Sequence, residues 1–158
     1  MTPRCTLART CLLAALVIPA PARSQSVIVR SPDGRTTVVL ALSDGRLTWA
    51  VTRDRAPVVM PSRLGFTFRG APPFETGLRL ADSARSSGDA TFTLPLGETA
   101  RVRDRHNELR VTVAEAAQPN REMWVVVRAF DDGLGFRYEL PDQPNLKGVD
   151  SYCTSCVG

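Results

Sequence analysis

The stretch that decides the fold is Trp124–Pro141, WVVVRAFDDGLGFRYELP, in which two apolar runs flank an Asp-Gly pair. Asp-Gly between alternating apolar residues is a strong local signal for a tight β-hairpin. A two-residue turn at Asp132-Gly133 predicts Ala129 opposite Phe136, Val127 opposite Tyr138 and Val125 opposite Leu140. Those six side chains share one face, while Arg128, Arg137 and Glu139 share the other. A slip by a single residue would carry the apolar set into water, so the face is firmly specified. On this register Arg128 faces Arg137, and Gly135 lies opposite Phe130, leaving room for its ring.

The same period-two pattern recurs outward from the hairpin. SPDGR (31–35) and SDGR (43–46) are further Asp-Gly turns. Between them Val38, Leu40 and Leu42 alternate with Thr37, Val39 and Ala41; beyond them Leu47, Trp49 and Val51 alternate with Thr48, Ala50 and Thr52. Leu64, Phe66 and Phe68 make another set, as do Leu109, Val111 and Val113. Strands with one apolar and one polar side belong to antiparallel sheets packed on a core by one face. No helical period is sustained. Residues 70–89, GAPPFETGLRLADSARSSGD, are rich in Gly, Pro and Ser and read as a long loop with one strand at Leu78–Leu80. Nine or so short strands predict an all-β, antiparallel β-sandwich.

Composition limits what such a domain can do. Residues 1–24 have the features of an export signal: Arg4 and Arg9, the apolar run CLLAALVIPA, and Ala22 and Ser24 placed for cleavage. The run is too short to span a bilayer. Removing these residues leaves 134 of 158, enough for one domain with its own core. The formal charge of +4 then falls to about +1, because Arg4, Arg9 and Arg23 leave with the signal. A nucleic-acid partner is not expected at that charge. Arg supplies 19 of the 20 basic residues and Lys147 the other, a bias we ascribe to a GC-rich genome.

Beyond composition, SPDGR, LTWAV, PSRLGF, RDRHNEL and FDDGLGFRYELP follow one another in this order. Together they resemble the amino-terminal domain of glycoside hydrolase family 97, exported bacterial α-glucosidases and α-galactosidases. The resemblance implies a β-super-sandwich of the galactose-mutarotase-like kind that packs on a (β/α)₈ barrel. In that family the barrel carries the catalytic groups, and the sandwich helps shape the sugar pocket. A calcium ion is implied for the full-length enzymes, with an acidic ligand from the strand that follows the FRYELP match. Here that place reads DSYCTSCVG, whose only carboxylate is Asp150, so no calcium site is expected in this chain. The sandwich is expected to be incomplete, and 134 residues are too few to add a barrel of roughly 250.

The resulting expectation is a signal peptide (1–24), a family 97 amino-terminal sandwich (25–149) and an atypical tail (150–158). Its role is non-catalytic, carbohydrate-binding and pocket-shaping, with an α-glucoside or α-galactoside as the carbohydrate and a catalytic barrel as protein partner. A free-standing periplasmic carbohydrate-binding module is the alternative. No catalytic or metal-binding residue is assigned. The carbohydrate-pocket candidates are His106, Asn107, Glu108 and Trp124. Asn107 is a plausible turn residue, so 106–108 read either as a solvated hairpin tip or as a pocket-facing motif. Trp124 is the one Trp expected to be exposed, since alternation places Trp49 on an apolar face. Glu98 and Glu139 are separate carboxylates with ordinary charge-pairing explanations, and Arg101, Arg103 and Arg105 read as charges guarding an edge strand. Cys153 and Cys156 read either as a local disulfide or as part of a tail foreign to the family.

Overall fold

The structure, a computed structural model, describes residues 24–93 and 101–146 and the backbone of 151–152. The first sheet is a meander of β1 (Gln25–Arg30), β2 (Thr36–Ser43), β3 (Arg46–Arg53) and β4 (Ala56–Leu64), all antiparallel. Asp44 and Gly45 both have positive φ, 51° and 68°, the conformation that an Asp-Gly hairpin turn requires. The β3–β4 turn gave no such signal, because Asp54 and Arg55 occupy the left-handed region (φ 49° and 69°) without a glycine. Tertiary contacts hold it there instead. Arg35 grips the Asp54 carboxylate with Nε at 2.8 Å and Nη2 at 2.7 Å, and the Asp54 amide donates to the Arg35 carbonyl at 2.9 Å.

A short sheet follows, made of β5 (Phe66–Phe68), β6 (Ala71–Phe74) and β11 (Ser151–Tyr152) in the order β11-β5-β6. Ser151 and Tyr152 pair with Phe68 and Thr67. The second large sheet has the order β10-β9-β8-β7, from β7 (Leu78–Thr93), β8 (Arg101–Glu115), β9 (Glu122–Phe130) and β10 (Leu134–Glu139). Its long edge strand corrects the reading of 70–89 as a loop. Ser, Gly and Asp are poor strand formers, but β7 pairs with β8 along Leu78–Thr93, and the ladder overrides local preference. The only break is a register shift between Leu80 and Asp82.

The core lies between the two large sheets and uses the alternating residues singled out above. Val38, Leu40, Leu47 and Val51 face Leu109, Val111, Val113, Val125, Val127 and Ala129, all at or below 1% exposure. Each fully buried Val or Leu contributes about 1.5–3 kcal/mol by leaving water. A chain of rings ties the sheets together beyond this aliphatic centre. Trp49 on β3 meets Phe136 at 5.1 Å, Phe136 meets Tyr138 at 4.8 Å, Tyr138 meets Phe66 at 4.3 Å, and Phe66 meets Phe68 at 6.2 Å.

The opening hairpin is present with its faces as expected and its register moved by two. Leu134 pairs with Ala129, Phe136 with Val127 and Tyr138 with Val125, so the turn lies at Asp131-Asp132. Arg128 consequently faces Gly135, and Arg137 faces Val126, removing the expected like-charge pair. A two-residue shift preserves side-chain parity, which is why the core face is unaffected. The cause is tertiary: the Asp131 carboxylate accepts the Asp33 amide at 2.8 Å and pairs with Arg105 at 3.3 Å, pinning this turn to the β1–β2 turn.

Burial at the end of the ring chain has a pH consequence. The Tyr138 hydroxyl is buried without a well-formed hydrogen bond, its backbone neighbour being Gly65. Burial pushes its pKa from 10.0 up to about 12, with the Gly65 backbone opposing weakly. Above pH 10 the unfolded chain loses this proton more readily than the folded one, so the contribution is intact below pH 10 and declines towards pH 12. We expect up to about 2.5 kcal/mol of stability to be lost across that window. Tyr138→Phe should remove this alkaline loss in urea titrations at stepped pH; an unchanged profile would show that Tyr138 is not its source.

Candidate functional site

Three of the four candidate residues come to the outer face of the second large sheet. His106, Glu108 and the opposing Trp124 share that face, where β8 pairs with β9 as His106 with Phe130, Glu108 with Arg128 and Thr112 with Trp124. Asn107 points the other way, as neighbours on a strand must. The hairpin-tip reading of 106–108 is thereby corrected: they lie within β8, continuous over Arg101–Glu115, because β7 and β9 flank it on both sides. Trp124 lies about 20 Å from His106, six residues along the strand at roughly 3.3 Å each. Among the described residues, the clefts that take in His106, Asn107 or Glu108 do not reach Trp124.

Each of these side chains is held by neighbours. The His106 ring sits against Phe130 at 5.3 Å, and its Nδ1 pairs with the Asp104 carboxylate. Gly88 lies beside the ring on β7; a Cβ there would stand 2.7 Å from His106 Cε1, so glycine is what lets the imidazole lie flat. Glu108 accepts from Arg128 Nε at 2.5 Å, and this hydrogen bond raises the guanidinium's pKa. Arg110 lies over the Trp124 ring at 4.0 Å and is itself anchored by Glu139 at 2.6 Å. One face of the expected aromatic platform is thus already covered. Hydrogen bonds from Arg110 and Arg137 keep the Glu139 carboxyl below its usual range, against a smaller opposing effect of burial.

Two open clefts meet at Asn107. One, about 350 Å³, is lined by Pro32, Ser87, Gly88, Asp89, Arg105, His106 and Asn107. The other, about 370 Å³, takes in Asn107 and Glu108 together with residues of β1 and β7. Asn107 Nδ2 donates to the Arg30 carbonyl at 2.8 Å, joining the two large sheets at this point. Arg101, Arg103 and Arg105 precede the first β8–β9 pair and so have β7 alone beside them, an edge position as expected. Of these, Arg103 forms a two-pronged pair with Asp89 at 2.7 and 2.8 Å.

Sequence reading missed the most buried charged pair among the described residues. Arg121 is 1% exposed, and its Nε and Nη2 meet the two Glu115 oxygens at 3.0 and 2.5 Å. Its remaining donors reach the Pro72 carbonyl at 2.7 Å and the Pro73 carbonyl at 3.3 Å, tying the β8–β9 connection to β6. An Arg and a Glu flanking a Pro-Asn turn give no advance signal that both are buried. The other residues discussed earlier, Glu98, Lys147, Asp150, Cys153 and Cys156, lie outside the described residues.

The segment from which the family resemblance draws a calcium ligand, residues 147–158, lies largely outside the described residues. Among the described residues no group of three or more His, Cys, Asp or Glu side chains converges. A calcium site needs six to eight oxygens, whereas on this face Glu108 and Glu139 are turned to arginines and Asp104 to His106. Among the described residues, no helix is long and apolar enough to cross a membrane.

The fold and site together define an all-β sandwich domain whose charged sheet face is internally paired. Comparison with known proteins gives the family: the profile described as Glycosyl-hydrolase 97 N-terminal matches residues 29–154, and the chain belongs to that family. A probable retaining alpha-galactosidase from Streptomyces bingchenggensis (strain BCW-1) is 29% identical over 130 residues, covering 78% of this chain and 20% of that protein. A Glycoside Hydrolase Family 97 enzyme from Pseudoalteromonas sp. strain K8, in complex with acarbose, superposes with a TM-score of 0.75 at 30% identity, over 79% of this chain and 19% of the enzyme. A beta-arabinopyranosidase shares the fold, with a TM-score of 0.73 at 22% identity over 82% of this chain and 20% of that one. The chain thus spans about a fifth of the length of the relatives it matches.

Proposed function

We propose that this chain is the non-catalytic, pocket-shaping sandwich of an exported family 97 glycoside hydrolase acting on α-glucosides or α-galactosides. The observation that carries the reading is the state of the carboxylates. Glycoside hydrolysis uses a pair of carboxyl groups flanking one glycosidic bond, 5–10 Å apart and open to substrate. Here Glu108 is engaged by Arg128, Glu139 by Arg110 and Arg137, and Glu115 is buried with Arg121. Packing against a barrel is favoured by the opposite side of the molecule. Val59 packs on the core, so Val58 and Met60 point outward from β4, 62% and 67% exposed, and Ile28 adds a third apolar group on the same sheet.

On this reading the purified chain releases no aglycone from aryl α-glucosides or α-galactosides, with or without calcium. Calcium also leaves the melting temperature unchanged, because an ion bound only by the native state would have to raise it. Turnover that vanishes in Glu108→Gln or Glu139→Gln would overturn the reading and move the active site into these strands.

A further inference from the structure

The seam between the two large sheets holds a donor-rich edge. Strand β1 ends its sheet, so one of its edges has no strand beside it. Side chains from the other sheet cap its carbonyls there: Arg85 Nη2 donates to the Ile28 carbonyl at 3.3 Å, and Asn107 Nδ2 to that of Arg30 at 2.8 Å. In an antiparallel strand the N–H of a residue points the same way as its C=O. The amides of Ile28 and Arg30 therefore face this edge too, and with the carbonyls engaged the edge offers mainly donors. It forms one wall of the 370 Å³ cleft, whose other wall includes Arg85, Ser86, Ser87 and Asn107. That volume lies within the roughly 300–1,000 Å³ of small-molecule sites.

The charge balance of the cleft is one-sided. Glu108 is its single carboxylate and is neutralised by Arg128. Among the described residues neither Arg30 nor Arg85 has an ion-pair partner; other surface arginines such as Arg46 and Arg63 share that state, but Arg30 and Arg85 are the two that line this cleft. No aromatic ring lines the cleft, so the stacking that holds a neutral sugar has no platform here. We propose that this cleft binds an acidic sugar, a hexuronate unit, through its carboxylate. The guanidinium groups of Arg30 and Arg85 take the carboxylate, for which their planar donor fork is suited. Ser87 and the Asn107 amide, which share a face with Arg85, meet the ring hydroxyls. The inference rests on the carbohydrate-binding reading above.

The test is calorimetric titration of the 158-residue chain with D-glucuronate, D-glucose and acetate. Saturable glucuronate binding is expected, about 10-fold or more tighter than either comparator, as one charge-assisted contact would give. It should weaken as salt screens the open site. Arg30→Gln/Arg85→Gln should abolish it with only a small change in melting temperature, since both side chains are exposed and the fold loses one long hydrogen bond, from Arg85 to the Ile28 carbonyl. Arg30→Gln alone, which disturbs no side-chain hydrogen bond, should weaken it at least several-fold and guards against loss through misfolding. Glucose or acetate binding as tightly as glucuronate, binding that survives in the double variant, or no glucuronate binding at all would each overturn the proposal. The hydrolysis assay reads a separate property, so the non-catalytic reading and this one can fail independently.

Discussion

Glu115→Ala is expected to destabilise the chain by about 3–5 kcal/mol, the usual cost of stranding one member of a buried ion pair. Arg121 would keep its contacts to the Pro72 and Pro73 carbonyls but lose its only carboxylate. Its guanidinium, packed near the Phe68 and Phe74 rings at 5.0 and 5.7 Å, has no route to water from there. A Glu115→Leu/Arg121→Met double variant should recover much of the loss, because an apolar pair of similar size avoids desolvating charge. Chemical denaturation of the three proteins measures this directly; a Glu115→Ala cost below about 1 kcal/mol, the level of a surface pair, would contradict the buried assignment. The same pair makes the fold acid-sensitive. Burial pushes the Glu115 carboxyl up, but hydrogen bonds from the Arg121 side chain and backbone outweigh it and hold the pKa below 4.5. The unfolded chain takes up this proton first on acidification, so the stabilisation is present above about pH 4.5 and is lost as pH falls further.

Phe66→Ala should cost about 3–5 kcal/mol, the range for deleting a buried aromatic side chain. Phe66 is 6% exposed and stands between Tyr138 at 4.3 Å and Phe68 at 6.2 Å. Removing its ring opens a cavity and cuts the path of rings that runs from Trp49 to the small sheet. Phe66→Leu fills most of that volume and should cost clearly less, so the difference between the two reports the ring contacts, about 0.5–1.5 kcal/mol per pair. Equal costs would mean that the ring geometry contributes nothing beyond burial.

The outer face of the second sheet shows why a candidate site is harder to read than a core. His106, Glu108 and Trp124 were legible as chemically capable residues. Whether they act on a ligand depends on Asp104, Arg128 and Arg110, and two of those three partners are fixed by strand pairing or packing across distant sequence. Arg30 and Arg85 carried no signal at all, because an unpaired arginine is recognised only once every nearby carboxylate has been located.

What the sequence by itself determined was parity. Val38, Leu40, Leu109, Val111, Val125 and Val127 are buried because a strand has a period of two and their alternation leaves one face to put inside. The Asp44-Gly45 turn was likewise local, since glycine accepts the left-handed conformation that the turn needs. Tertiary structure decided register and partnership. Asp131 moved the hairpin turn by two residues through its bonds to the Asp33 amide and Arg105, and pairing with β8 drew the Ser-rich 83–93 segment into a strand. Arg121 was buried by carbonyls 48 and 49 residues away. Local steric preference fixes which way a side chain faces; only contacts between distant segments fix what it meets.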